Sequence, residues 1–385
     1  MDVGRLRADT PGCEERIHLG NAGAALQSSA VLQAVADYAA SEIALGGYEA
    51  QVAAADMFAR GRAALGAVIG AAGDHVAFAE SGTLAWWRAL DAMGLESGDR
   101  VLVTASEYLG TVLPLIQRGI TIEVLPDGPD GTVSIEAAAV ALADSPVAAV
   151  VACHAASHAG IVNDVVALGE VVRRESPRTW YVVDGCQSVG QLPVDVGEMG
   201  CDFLVATGRK WLRGPRGTAF LYAGERALEA IPARLDSNTG RVSGPGVVDP
   251  YPGIARFEPW ELSWSSQAGL AAAAADLMST GQLDVHARIA DLAQRVRAGL
   301  RGLPRVTVRD RGEPAGGIVS FSHADVPSAD LVARARSRGM ALGLVPDNAP
   351  FDAVTAALPP AVRVSAHVYN TETEVDTLLE FLSGL

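Results

Sequence analysis

Apolar positions recur along the chain with two distinct periods. Ala30–Ala44 and Ala50–Ile69 carry them at helical spacing with few breakers, and Gly46-Gly47-Tyr48 separates the two stretches. Short continuous apolar runs follow at Val76–Phe78, Arg100–Thr104, Thr121–Leu125, Val147–Cys153, Trp180–Val183, Phe203–Ala206 and Thr218–Tyr222. Runs of that kind predict strands buried on both faces. Helical stretches lie among them: one after the Ser81-Gly82-Thr83 turn through Met93, one from about Thr111, and one over Asp164–Arg174. The alternation predicts an α/β fold with a mainly parallel seven-stranded sheet covered on both faces. The Gly- and Pro-rich stretch Ser243–Pro252 breaks the pattern, and a helical block runs from about Ser266 to Leu300. The last segment predicts a smaller α+β unit: strands Val306–Arg309, Gly317–Phe321 and Val362–Ser365, helices Ser328–Arg338 and Glu372–Leu382.

Composition narrows the function classes. The chain has 385 residues, 49% hydrophobic and 19% charged, which is globular composition with room for about two domains. A net charge of −15 argues against nucleic acid or an anionic membrane as partner, because phosphate would be repelled. No apolar run reaches the ~18 residues of a membrane span. The four cysteines, Cys13, Cys153, Cys186 and Cys201, show no CxxC spacing, and Met1–Thr10 has no apolar core of a signal peptide. Both point to a reduced, cytoplasmic protein.

One count changes the picture. Of 30 basic residues a single one, Lys210, is lysine; the rest are arginine. A bias toward arginine codons accounts for the arginines, since the two are nearly equivalent on a solvated surface. They differ where a compact amine must lose its proton and attack a carbonyl. Lys210 is therefore either a chance survivor or the nucleophile of a site.

Its surroundings favour the site. Trp180-Tyr-Val-Val-Asp184-Gly-Cys-Gln187 is an apolar strand ending in a carboxylate, and Asp202-Phe-Leu-Val-Ala-Thr207-Gly-Arg209-Lys210-Trp211 repeats the pattern with a hydroxyl, a cation and the amine. Strands ending this way place their polar residues at the carboxyl edge of the sheet, where such folds bind ligands. An amine, a carboxylate and an anion cradle together are what pyridoxal phosphate (PLP) chemistry needs. The sequence resembles the class V aminotransferases, PLP enzymes of fold type I with a large domain and a smaller α+β C-terminal domain.

The resemblance covers nearly the whole chain and assigns roles by position. It implies a large PLP-binding domain over 20–255 and a small one built from 1–19 and 256–385. It implies that Lys210 bonds the cofactor aldehyde, Asp184 pairs with the ring nitrogen, and Gln187 with the phenolic oxygen. Ser81, Gly82 and Thr83 sit where the family cradles the phosphate; Thr207 and Arg209 flank it, with Arg209 in place of the usual histidine. Glu107-Tyr108 holds the place of the ring-stacking residue, so that Tyr108 or Leu109 covers the ring. Ser157 and His158 fall where polar side chains approach the cofactor, and Ser263 or Ser265 where a neighbouring subunit's phosphate is reached. Asn21 and Ala22 match the segment lining the substrate pocket, Arg363 the fork for the substrate α-carboxylate, with Tyr48 and Arg216 as further substrate candidates.

Other residues admit blander readings. His154 and His158, four apart, lack a third ligand, and no metal is expected. Cys186 should point away from Asp184 and Gln187 on an extended segment and serve as packing. Arg213 is either solvated or meets an anionic substrate. The loop at about Ser337–Pro350 lacks the mobile cysteine that cysteine desulfurases need. Leu45-Gly46-Gly47-Tyr48, Ala156-Ser157-His158-Ala-Gly160 and Arg209-Lys210-Trp211-x-x-Gly-Pro-Arg216-Gly217 resemble the hercynylcysteine sulfoxide lyase branch, and isopenicillin N epimerase relatives share some of this pattern. It implies a C–S lyase acting by β-elimination on an S-substituted cysteine or its sulfoxide, with epimerisation or transamination as alternatives. The partners implied are a small amino-acid substrate and a second copy in a homodimer.

Overall fold

The structure, a computed structural model, describes residues 1–232, 234–237, 239–312, 316–345, 351 and 360–385. Its central sheet has seven strands: β1 (Val76–Ala79), β2 (Arg100–Thr104), β3 (Thr121–Leu125), β4 (Ala149–Cys153), β5 (Trp180–Asp184), β6 (Phe203–Thr207) and β7 (Ala219–Ala223). They lie in the order β1-β7-β6-β5-β4-β2-β3. The predicted mainly parallel sheet is present. Only β7 is reversed, running antiparallel to β1 and β6. The reason lies in its connection: no helix separates β6 from β7, and a parallel crossover needs one. That hairpin loop carries Lys210.

The strands read as continuous apolar runs because both faces are covered. Every residue of β4 and β6 is buried. Alternate residues serve opposite cores: Val150, Val183 and Leu204 on one side, Val151, Val182 and Val205 on the other. The helix Trp264–Thr280 packs on the helices Ser29–Leu45 and Ala55–Val68.

Two predicted helical blocks are divided. Ala50–Ile69 falls into Gly47–Ala53 and Ala55–Val68, and the long block into Trp264–Thr280 and Gln282–Arg301, broken at Gly281 with φ 94°. That positive φ suits glycine and ends the first helix. The Gly- and Pro-rich stretch is an antiparallel hairpin, Gly240–Gly244 with Val247–Pro250. The helix Ile135–Asp144 was not expected from the sequence.

A second, antiparallel sheet holds β8 (Val306–Val308), β9 (Ile318–His323), β10 (Gly343–Val345) and β11 (Ala361–Ser365) in the order β8-β9-β11-β10. The N-terminal segment joins this part of the molecule. Ile17–His18 pairs with Met340–Ala341, and Gly20 bridges Ser365. Residues near positions 20 and 363 are thereby carried to the carboxyl edge of the large sheet. Among the described residues no helix is long and apolar enough to cross a membrane.

Candidate active site

A cavity of about 500 Å³ opens at that carboxyl edge. One end is built for an anion. Ser81, Gly82 and Thr83 line it at the start of the helix Gly82–Ala92, directly after β1. The Ser81 hydroxyl accepts a hydrogen bond from the Leu84 N–H at 3.2 Å, capping the helix. A Cβ on Gly82 would lie 2.7 Å from Cys186 Sγ, so only glycine lets the turn approach so closely. Arg209 donates to Thr207 Oγ1 at 2.7 Å, and both side chains line the same cavity. Helix N–H groups, hydroxyls and a guanidinium form a cradle suited to phosphate.

Beyond the cradle, β5 delivers Asp184. Its Oδ1 accepts the Cys186 N–H at 2.8 Å. The chain then turns sharply, the Val189 N–H donating to Gly185 O at 3.0 Å. This turn corrects the expectation for Cys186. An extended segment would point Cys186 away, but the tight turn brings Asp184, Cys186 and Gln187 to one cavity wall. The Gln187 amide nitrogen donates to Ala22 O at 3.1 Å, and its oxygen accepts from Trp211 Nε1 at 2.9 Å.

Lys210 lies on the β6–β7 loop within the same cavity. Burial lowers the pKa of its amine, and the charge of Asp184 pushes the other way. An amine so placed gives up its proton more readily than a surface lysine. Arg363 approaches from β11 and donates from Nη1 to Ser157 O at 2.8 Å. Its Nε has no partner among the described residues, and burial lowers its pKa to about 10. Arg363 lines the cavity, and a guanidinium there suits a carboxylate. Ala22, Ser157 and His158 complete this side. Tyr108 and Leu109 both line the opposite wall; Tyr108 is 58% exposed and stands at the mouth.

The cavity also holds groups that the sequence did not single out. Glu107, 2% exposed, accepts from Thr104 Oγ1 at 2.6 Å. Burial lifts its pKa to about 8, and the Asp184 charge adds to the rise. Its Oε2 has no hydrogen-bond partner of good geometry among the described residues. Cys153 ends β4 beside it, and burial pushes this thiol, like that of Cys186, well above the ordinary range. The sequence places Glu107 beside Tyr108, but its burial was not legible there.

Four expected residues do not line this cavity. Asn21 is fully buried beside it, bonding Ser365 O at 2.6 Å and accepting from the Tyr369 hydroxyl, and so fixes the segment that presents Ala22. Tyr48 is 63% exposed with its ring 5.8 Å from that of Trp260. Arg216 is exposed, and Ser263 is exposed and paired with the Ser266 hydroxyl at 2.8 Å. Arg213 is neither solvated nor in the cavity. It is buried, donating to Leu26 O and Thr10 Oγ1 at 2.9 and 2.6 Å. His154 and His158 do not share a helix face, since the segment after β4 is not helical. His154 is buried in a different cavity. Of the loop expected to lack a nucleophilic cysteine, residues 346–350 lie outside the described set.

These residues fit PLP on structural grounds: a helix-start cradle whose Gly82 leaves no room for a side chain against Cys186, a carboxylate beyond it, a buried amine and a guanidinium, all lining one cavity. Comparisons with known proteins agree. A Mycobacterium tuberculosis protein described as "Probable hercynylcysteine sulfoxide lyase" is 28% identical over 373 residues, covering 95% of this chain and 89% of the relative. A Mycobacterium leprae protein described as "Probable cysteine desulfurase 2" is 29% identical, covering 98% and 95%. The cysteine desulfurase of Thermococcus onnurineus superposes with a TM-score of 0.88 at 22% identity, covering 99% of this chain and 97% of that one. The cystine C–S lyase C-DES, solved with its product cysteine persulfide, superposes with a TM-score of 0.84 at 23% identity, covering 97% and 99%. At such identities the two superpositions speak for the fold. The family model described as Aminotransferase class-V matches residues 17–378, and the chain belongs to that PLP-dependent family.

Proposed function

We propose that the protein is a C–S lyase that cleaves an S-substituted cysteine or its sulfoxide, of the hercynylcysteine sulfoxide kind, by β-elimination. One observation carries this reading. Lys210 shares its cavity with two thiols, Cys153 and Cys186, and burial acts on them in opposite senses. The amine is eased toward its neutral, basic form, whereas both thiols are held protonated. A thiol held protonated is a poor nucleophile, so abstraction of sulfur by a cysteine is disfavoured and proton transfer by the amine is favoured.

Bound in the cavity, PLP supplies an electron sink that makes the substrate Cα proton acidic. The chain's own residues do the rest. Ser81, Gly82, Thr83, Thr207 and Arg209 hold the phosphate, Asp184 pairs with the ring nitrogen, and Gln187 donates to the phenolic oxygen. Tyr108, Ser157 and His158 border the ring. Arg363 grips the substrate carboxylate in a two-pronged hydrogen bond and fixes which Cα bond faces the ring. Lys210 Nζ takes the Cα proton. The Cβ–S bond then breaks, and its electron pair leaves on sulfur. A sulfoxide departs as a sulfenate, which takes up a proton equivalent to the one Lys210 removed and becomes a sulfenic acid; the remaining three-carbon enamine takes up one water to give pyruvate and ammonia. No oxidant or reductant is consumed.

The same reading includes a homodimer. Ile43, on the helix Ser29–Leu45, and Val52, on the helix Gly47–Ala53 that also carries Tyr48, are 88% and 77% exposed apolar side chains that a second copy would cover. In a dimer Tyr48, Arg216 and Ser263 are free to serve the neighbouring copy's cavity. Sedimentation equilibrium should give twice the chain mass, and a monomer would remove this part of the reading.

The test is to mix the PLP-loaded protein with cysteine conjugates and their sulfoxides and assay pyruvate. Equal amounts of pyruvate and ammonia are expected, fastest from the sulfoxides. A product amino acid of inverted configuration, or a keto acid that keeps its sulfur, would overturn the lyase reading. Inversion has one structural point in its favour: Tyr108 stands at the cavity mouth as a candidate second proton donor.

A further inference from the structure

Trp211 follows Lys210 directly and is 1% exposed. It sits outside the cavity, with Gln187 between. Its indole N–H donates to Gln187 Oε1 at 2.9 Å. An indole nitrogen can only donate, so of the two ends of an amide it can bond only the oxygen. The Gln187 amide is therefore held with its oxygen toward Trp211 and its nitrogen away. One hydrogen of that nitrogen goes to Ala22 O at 3.1 Å. The second meets no protein acceptor among the described residues, and Gln187 lines the cavity.

The indole is itself held in place. Its ring stacks on that of His367 with centroids 5.7 Å apart, and His367 stacks on Tyr369 at 5.3 Å. Trp211 O accepts from His367 Nε2 at 3.1 Å. That bond fixes the proton on Nε2, and His367 Nδ1 accepts the Val368 N–H at 2.8 Å. A Cβ on Gly317 would lie 2.9 Å from Trp211 Cη2, so the far edge of the indole is also closely packed.

We propose that Trp211 is a positioning residue: its indole N–H locks the Gln187 amide so that this side chain offers the bound cofactor a donor and never an acceptor. The inference rests on the reading of the cavity as a PLP site with Gln187 at the phenolic oxygen. A donor there stabilises the ionised oxygen and lowers the pH at which the cofactor's visible band titrates. A flipped amide would set its own oxygen against an anion. Without the indole N–H only the bond to Ala22 O is left to hold that orientation, and the amide is held less firmly.

The test is a spectrophotometric pH titration of the PLP-loaded protein, followed in the visible band, for wild type, Gln187→Ala, Trp211→Phe and the double variant. Phenylalanine keeps a ring against His367 but has no N–H. Gln187→Ala should raise the titration midpoint by on the order of one pH unit, about tenfold in the ionisation constant. Trp211→Phe should raise it in the same direction. The double variant should move no further than Gln187→Ala alone, because both changes remove one interaction. If Gln187→Ala shifts the midpoint and Trp211→Phe does not, or if the two shifts add, the positioning role is wrong and the cavity reading stands. If Gln187→Ala leaves the midpoint unmoved, the cavity reading of Gln187 is what fails. Should Trp211→Phe not load the cofactor, Trp211→His, which keeps a ring N–H, decides the matter: a midpoint near wild type supports the role, and one at the Gln187→Ala value contradicts it.

Discussion

Lys210 and Glu107 are two titratable side chains in one cavity, and burial moves both toward neutrality. For Lys210 this is the direction a base requires. For Glu107 it has a consequence for stability. Its pKa is about 8 in the folded protein against an ordinary value of 4.5. Between those values the folded protein holds a proton that the unfolded chain has lost, so stability falls as pH rises through the window. Each pH unit there costs up to about 1.4 kcal/mol. Glu107→Gln stays neutral at every pH and should remove that slope. Thermal unfolding of the cofactor-free protein at about pH 5 and about pH 8 measures it. Wild type should lose more Tm between the two than the variant, and equal losses would mean that Glu107 is ionised throughout.

At the scale of elements, the helix Gln282–Arg301 is fastened to the second sheet by one buried ion pair. Arg297 and Asp310, 1% and 2% exposed, meet at 2.7 Å. Arg297 also donates to Gly316 O and Ile318 O, and Asp310 accepts the Ser320 N–H. Arg297→Ala would strand a buried carboxylate, a loss of about 3–5 kcal/mol. Urea unfolding should show it, and a change below about 1 kcal/mol would mean that water reaches Asp310. Elements of this kind differed in how legible they were. The central strands were readable because burial on both faces leaves an unbroken apolar run, as in Val-Val-Ala-Cys153. The hairpin over 240–250 was not, since its residues are largely exposed and glycine-rich. The helix breaks at Ala54 and Gly281 were not foreseen either, because the apolar spacing continues across both.

At the scale of the molecule, the candidate site gathers residues from distant parts of the chain: Ala22, Thr83, Asp184, Lys210 and Arg363 line one cavity. Spacing alone does not bring these together. The family's order of motifs did, for the residues fixed by strand ends and by the β6–β7 hairpin. It did not place Tyr48, Arg216 or Ser263, whose positions depend on surface packing and, in our reading, on a second copy. Nor did it disclose Glu107 or Cys153, whose roles come from burial. The account turns on Lys210 as the residue that bonds PLP, and the chain's single lysine makes that unusually direct to test. The PLP-loaded protein is reduced with borohydride, digested and analysed by mass spectrometry. The account predicts the cofactor's added mass on the peptide containing Lys210 and nowhere else. A Lys210→Ala protein that still fixes the cofactor on reduction, or a wild-type peptide with Lys210 unmodified, would contradict it.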